Sequence, residues 1–453
     1  MFQNVWLFLV LVTSAVSGQL CANKTEYQCQ CKRITDEKTH LPVDVADCSG
    51  LKIDTFPTDA EDDINYLSLS VNRIQILDPK QQKLSSNDLY VLILSHNEIK
   101  TINDEFFLTI PNLLELDLSH NYLTTLEDGL FQNLNKLAKL DLSYNNIQTL
   151  QDAAFTSLVN VWYLDLSYNP LGDFLTASKD TLSEKLGLNL NITHLHLNGL
   201  NISSFHNSYF DGFTNIKCLS LADNVLANIP TVPYSVEHLD LSGNNFTYVS
   251  ARYLNYHDLK ILKLNRMPSL TDVHHYAFYN LVSLEKLFIN DCPNLKAFSE
   301  LAFDVATKNQ QLHPKRLSLA RNGLSRLNKT YRYFFRDMDF VDLTHNPWKC
   351  DCDILWLTEF ESILYKPQEI KCYLPRELRY KSILDIKEKD LTDCFPEIYG
   401  KKSHRILIII LASTLIVLIG LIFYLIKYPG SWLGNKHIVG PNSPYNLAAT
   451  GEN

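Results

Sequence analysis

The pattern L-x-x-L-x-L-x-x-N, or a close variant of it, recurs twelve times along this 453-residue chain. It opens with Ile64, Leu67, Leu69 and Asn72 and continues with Leu89, Leu92, Leu94 and Asn97. Three near copies follow: LLELDLSHN (Leu113 to Asn121), LAKLDLSYN (Leu137 to Asn145) and VWYLDLSYN (Val161 to Asn169). Further copies end at Leu200, Asn224, Asn244, Met267, Cys292, Asn322 and Asn346, so the steps between equivalent positions are 25, 24, 24, 24, 31, 24, 20, 23, 25, 30 and 24. A period of this length means one small unit stacked on its neighbours, because a single unit cannot bury its own apolar face. The alternating leucines are expected to enter the core from a short strand, and the Asn side chain to satisfy backbone groups where each coil turns. The pattern predicts an α/β solenoid over residues 64–346, in place of the separate compact domains that length alone would allow.

Apolar residues also recur on the far side of each unit, as Phe131 with Leu134, Phe155 with Leu158 and Phe278 with Leu281, and read as a packed spine. Three copies carry Leu200, Met267 or Cys292 at the Asn position. A cysteine can stand in there, but Leu and Met cannot make the hydrogen bonds, so a locally irregular coil is expected near both. The 31-residue unit containing Asp173 to Lys185 has room for an extra loop or helix, and a second long unit lies between Cys292 and Asn322.

An exposed end of such a core is costly, so the terminal coils need caps. Four cysteines, Cys21, Cys29, Cys31 and Cys48, fall in residues 19–63, ahead of the array. Behind it, in 347–394, N-P-W-K-C-D-C (Asn346 to Cys352) leads to I-L-W-L (Ile354 to Leu357), Cys372 and Cys394. Disulfides and zinc are the two readings of such clusters, and an oxidising compartment favours disulfides. The array with these two flanks resembles the extracellular leucine-rich-repeat family, which includes Toll-like receptor ectodomains and neuronal or insect adhesion molecules. The resemblance covers about Cys21 to Cys394 and implies a horseshoe with a parallel sheet on its concave face. It also implies the pairs Cys21 with Cys31, Cys29 with Cys48, Cys350 with Cys372 and Cys352 with Cys394. Cys218 and Cys292 are left over. Cys292 reads as a buried thiol, and Cys218, one residue before a core leucine, should face the concave surface, either as a quiet, partly shielded thiol or as an exposed one able to link to another chain.

Residues 1–18, with an apolar run from Val5 to Val12 and small residues after it, read as a signal peptide. Ile406 to Ile426 carries no charge and is long enough to span roughly 30 Å of hydrocarbon. Residues 395–405 then read as a juxtamembrane linker and 427–453 as a short cytoplasmic tail. The expected setting is the plasma membrane, single-pass type I, with the N-terminus outside. Sequons at Asn23, Asn191, Asn201, Asn245 and Asn328 fit an extracellular chain. The tail is too short for a folded signalling domain, so any signal is expected to pass through a recruited partner.

The net charge of −9 offers no basic excess for nucleic acid. No nucleophile, metal-binding or phosphate-loop motif appears, so neither an enzyme nor a cofactor is expected. Binding is expected on the concave face, where the middle strand position, between the leucines, reads Ile93, Asp117, Asp141, Asp165, His196, Ser220, Asp240, Lys263, Phe288, Ser318 and Asp342. Lys260, Lys263, Arg266, Lys286, Lys315, Arg316 and Arg321 make the last third basic against an acidic first half. Tyr144, Trp162, Tyr163, Tyr168, His194 and His196, with His120 nearby, are the candidate contacts, since amphipathic aromatics anchor protein interfaces. The function so read is recognition or cell adhesion through another surface or secreted protein, or a second copy of the chain. The alternative is a receptor or co-receptor for a soluble or microbial ligand.

Overall fold

The computed structural model describes residues 21, 28–35, 41–57, 64–80, 86–303, 312, 314–387, 390–391 and 396–427. The signal-peptide segment, Asn23, Cys394 and the tail beyond Lys427 lie outside them.

Two strands, β1 (Gln30–Thr35) and β2 (Pro42–Asp47), form an antiparallel hairpin whose second strand begins a parallel sheet with one short strand per coil. In order these are β3 (Tyr66–Ser68), β4 (Val91–Ile93), β5 (Glu115–Asp117), β6 (Lys139–Asp141), β7 (Tyr163–Asp165), β8 (His194–His196) and β9 (Cys218–Ser220). The run ends with β10 (His238–Asp240), β11 (Ile261–Lys263), β12 (Lys286–Phe288), β13 (Arg316–Ser318) and β14 (Phe340–Asp342). The twelve repeats each supply one strand, and β2 adds a thirteenth turn from within the cap.

Each coil closes because its central leucines, such as Leu116, Leu118, Leu140 and Leu142, are wholly buried. The Asn that follows ties successive coils together. Asn121 Nδ2 donates to the carbonyls of Leu94 (2.9 Å) and Leu118 (3.1 Å), and its Oδ1 accepts the Ile99 N–H (3.0 Å). Asn145 and Asn169 repeat the arrangement one and two coils on. On the far side Phe56, Phe106, Phe107, Phe131 and Phe155 form a chain of ring contacts, and Phe278, Phe303 and Tyr331 continue a similar spine further along.

The units that lack the inward Asn are not irregular in the sheet, whose strands pair through β8, β11 and β12 without a shift of register. In each of them an Asn stands two residues earlier, at Asn198, Asn265 and Asn290. Asn198 Oδ1 accepts the Ala222 N–H (2.8 Å), Asn265 Oδ1 the Asn290 N–H (2.9 Å) and Asn290 Oδ1 the Ala320 N–H (2.9 Å). The coil-to-coil amide link is thus relocated rather than lost. At Cys292 the N–H donates to Asn322 Oδ1 (2.8 Å).

The 31-residue unit holds two single-turn helices, α1 (Gly172–Thr176) and α2 (Leu182–Leu186). The second starts on a reciprocal Thr181–Glu184 capping box and stops at Gly187, whose φ of 65° suits a residue without a β-carbon. Disulfides join Cys21 to Cys31, Cys29 to Cys48 and Cys350 to Cys372, and Cys352 is also disulfide-bonded. In the C-terminal cap the buried Trp348 indole donates to the Leu343 carbonyl (3.0 Å), closing the last coil.

Lys387–Asn453 forms a second unit. It contains one long helix, α3 (Pro396–Lys427), within which Ile406–Lys427 is apolar and long enough to cross a membrane. Within the stretch expected as a juxtamembrane linker, the backbone is helical from Pro396 onward.

Candidate protein-binding face

On the strand face the residues between the leucines form rows across the sheet. One row runs Glu115, Lys139, Tyr163, His194, Cys218, His238, and its neighbour runs Asp117, Asp141, Asp165, His196, Ser220, Asp240. Lys139 pairs with Glu115 at 2.6 Å and lies 5.4 Å from the Tyr163 ring. The Tyr163 ring lies 5.2 Å from that of His196, and Trp162 meets the His194 ring edge-on at 5.3 Å. These four residues therefore form one cluster in the middle of the face. The Trp162 carbonyl accepts the His194 N–H (2.9 Å), and the Thr193 hydroxyl lies 2.9 Å from His194 Nδ1, which fixes the imidazole.

The Asp row has a structural duty that explains its recurrence. Asp117, Asp141 and Asp165 each accept the N–H of the serine two residues on, at 2.9, 2.9 and 2.8 Å, and so turn the chain out of the strand. Stacking these carboxylates on one face has an electrostatic cost. Burial, with Asp165 adding to it, pushes the Asp141 carboxyl up to about 6, and burial raises Asp165 as well. Burial lowers His194 and His196 below the usual imidazole range.

Tyr144 and Tyr168 belong to a different cluster. They stand on the turn after the strand, at the residue just before the inward Asn. Reading that position down the twelve coils gives Val71, His96, His120, Tyr144, Tyr168, Gly199, Asp223, Gly243, Arg266, Asp291, Arg321 and His345, every one of them at positive φ. The shared left-handed turn throws these side chains outward in register. His96 stacks on His120 at 4.0 Å, His120 on Tyr144 at 4.1 Å and Tyr144 on Tyr168 at 4.3 Å, with interplanar angles of 12°, 8° and 18°. A groove of about 590 Å³ runs beside this stack, lined also by Glu98, Tyr122 and Asn146. His96 and Tyr122 escaped the sequence reading, although comparing the position before each Asn from copy to copy would have found the first.

Beyond Tyr168 the row becomes ionic. The Tyr168 hydroxyl donates to Asp223 Oδ2 (2.6 Å), and Arg266 reaches the same carboxylate at 2.8 Å. Burial works against its charge, but these two donors hold Asp223 below the usual carboxylate range. Arg321 pairs with Asp291 in the same manner. The expected basic end is accordingly not a free positive surface, because acidic groups one or two coils away neutralise most of it. Glu237 bridges Lys217 (2.9 Å) and Lys260 (2.7 Å), Asp240 faces Lys263 (3.3 Å), and Arg316 lies over the Phe340 ring.

Cys218 is a free, half-buried thiol whose pKa burial raises, and burial pushes Cys292 up to about 11. Neither is an activated nucleophile. Asn191, Asn201 and Asn245 are exposed. Asn328, also exposed, caps a short turn by accepting the Thr330 N–H (3.0 Å). Among the described residues no group of His, Cys, Asp and Glu side chains forms a metal site.

Comparison with known proteins places these features. Residues 87–143 and 122–171 match the family model described as Leucine rich repeat, and 233–319 match the one described as BspA type Leucine rich repeat region (6 copies). The chain is similar to Toll-like receptor 2 type-2 of Gallus gallus, 26% identical over 281 residues, covering 55% of this chain and 34% of the receptor. It is 30% identical to chondroadherin of Rattus norvegicus over 102 residues, 22% of this chain and 26% of that protein. The chain thus spans about a third or less of the length of these relatives. Among solved structures it is similar to a chain of the octameric complex of Latrophilin 3, Unc5D and FLRT2, with 19% identity, a TM-score of 0.51 and coverage of 81% of this chain and 98% of that one. That likeness is one of fold. With the repeat, the stapled ends and the relatives all pointing the same way, the chain is a leucine-rich-repeat solenoid that is similar to extracellular proteins built on that repeat.

Proposed function

We propose that the chain is a single-pass cell-surface molecule that binds another protein, or a second copy of itself, through its strand face. The observation that carries this reading is the cluster of Trp162, Tyr163, His194 and His196 beside the ring stack. These aromatics lie outside the core leucines, are not needed to close a coil, and have the composition of interface anchors. In this reading residues 1–18 are removed as a signal peptide, 19–63 and 347–394 cap the repeats of 64–346, Ile406 to Ile426 crosses the plasma membrane with the N-terminus outside, and 427–453 is cytoplasmic. Glycans are carried at the sequons, of which Asn191, Asn201, Asn245 and Asn328 are exposed. Adhesion and reception of a soluble ligand both fit this surface. The partial likeness to a Toll-like receptor supports the second of them.

Expression on non-adhesive cells tests both. Clumping of the cells marks homophilic adhesion, whereas dispersed cells that capture a soluble protein mark a receptor. In either case the double variant Trp162→Ala, Tyr163→Ala is expected to reach the surface normally and lose the interaction. Full binding by that variant would remove the strand-face cluster as the contact.

A further inference from the structure

The C-terminal cap carries a loop from Cys372 to Lys381 that is fixed at its base and from beneath. The Cys372 N–H donates to the Lys381 carbonyl (3.0 Å), the Tyr380 N–H donates to the Cys372 carbonyl (2.8 Å), and Cys372 is bonded to Cys350. Leu378 is buried under the loop. The outer side, by contrast, is not an ordinary solvated surface. Tyr373, Leu374 and Tyr380 are 45%, 44% and 70% exposed. The Arg379 guanidinium lies 4.3 Å from the centre of the Tyr373 ring and 5.3 Å from that of Tyr380, with the exposed Arg376 on the same loop. Among the described residues no carboxylate pairs with either arginine. Two phenols, a leucine and two guanidiniums without an ion-pair partner, set against the single exposed carboxylate of Glu377, leave the braced knob net positive and give it the composition of a membrane-interface anchor. In such anchors Tyr rings lie at headgroup depth and Arg reaches the phosphates.

We infer that the loop from Tyr373 to Tyr380 docks on the phospholipid headgroup layer of the membrane that the chain itself crosses, with lipid phosphate as the ligand of Arg376 and Arg379. This rests on the proposed anchoring through Ile406–Lys427. The tether favours a bilayer over a diffusing partner. Only nine residues separate Ile386 from the start of the helix at Pro396, so anchoring through that helix tethers the cap to the bilayer by a short stretch of chain. Contact with that bilayer is therefore effectively intramolecular, and even weak affinity per residue suffices.

The test uses the full chain in phosphatidylcholine nanodiscs with the photo-cross-linking substitution Tyr380→benzoylphenylalanine. The same substitution at Tyr234, 67% exposed on the solenoid, is the reference. Lipid adducts are expected several-fold above the reference at position 380, and Arg376→Glu with Arg379→Glu is expected to reduce them at least twofold. Equal yields at the two positions, or protein adducts without lipid adducts at 380, overturn the inference. Failure of the chain to enter nanodiscs defeats the anchoring and this inference together. Normal insertion without lipid adducts defeats this inference alone.

Discussion

Gly199 lies against the ring of Tyr168 so closely that a β-carbon added there would come within 2.3 Å of the tyrosine Cδ1. The missing side chain is what lets Tyr168 pass over the Gly199 coil and reach Asp223, 55 residues away in sequence.

Substitution Gly199→Ala is therefore expected to cost about 1–3 kcal/mol in denaturant unfolding. Backbone strain is the lesser cause, since ten of the twelve equivalent residues are not glycine and still adopt positive φ. The check is the same substitution made together with Tyr168→Ala. If steric conflict with the ring dominates, most of the loss disappears, and an unchanged loss would assign the cost to the backbone.

Asn145→Ala removes a buried amide that satisfies the carbonyls of Leu118 and Leu142 and the Leu123 N–H. Leaving such groups unpaired is expected to cost about 3 kcal/mol. Hydrogen exchange should show the loss locally, as faster exchange in the coils on either side, because repeat arrays couple mainly to their neighbours. Uniform protection across the array would contradict this role.

Asp141 supplies a pH signature. Its folded pKa is raised to about 6 by burial, with Asp165 adding to it, from an ordinary value of 3.8. The charged form is thus a cost to the fold, fully present above pH 6, shrinking as pH falls from 6 to about 4 and absent below. Asp141→Asn can still accept the Ser143 N–H. It is expected to stabilise the protein by roughly 1 kcal/mol at pH 7.5, after allowance for solvent screening, and by about half as much at pH 5. Paired denaturant melts at the two pH values read the difference directly, and a gain that grew on acidification would have the wrong sign.

Cys350→Ala opens the bond to Cys372 that holds both the last coil and the loop of the C-terminal cap. A loss of about 2–5 kcal/mol is expected, enough, for the cell-surface protein proposed above, to reduce surface delivery sharply. Flow cytometry of intact cells, compared with total protein, measures it.

The coil architecture was legible because inward positions face the same environment in every copy and so must repeat the same chemistry. Leu116, Leu140 and Leu164 are interchangeable in that sense. The row before each Asn was not legible, since its side chains range from Gly to Arg and share only a backbone conformation that residue type does not announce. Along the chain Tyr144 and Tyr168 group with Trp162 for this reason, whereas the turn sets them in a separate stack. The charge pattern misled in another way. Lys260 and Arg266 read as basic along the chain, but Glu237 and Asp223, which neutralise them, lie 23 and 43 residues upstream and become neighbours only when the coils stack. The shift of Asn to positions 198, 265 and 290 was visible in the letters, yet its meaning depended on knowing that an amide two residues earlier can still reach the next coil.

The left-handed row separates what the solenoid needs from what it displays. Because the backbone turn, rather than the side chain, fixes each position, the row holds imidazole, phenol, carboxylate, guanidinium or nothing at all without disturbing the leucines beneath. It behaves as a line of sockets at one-coil spacing, in which adjacent occupants stack and an empty socket lets a neighbour reach across. New specificities can be written there one coil at a time, by exchanges that leave the buried core untouched.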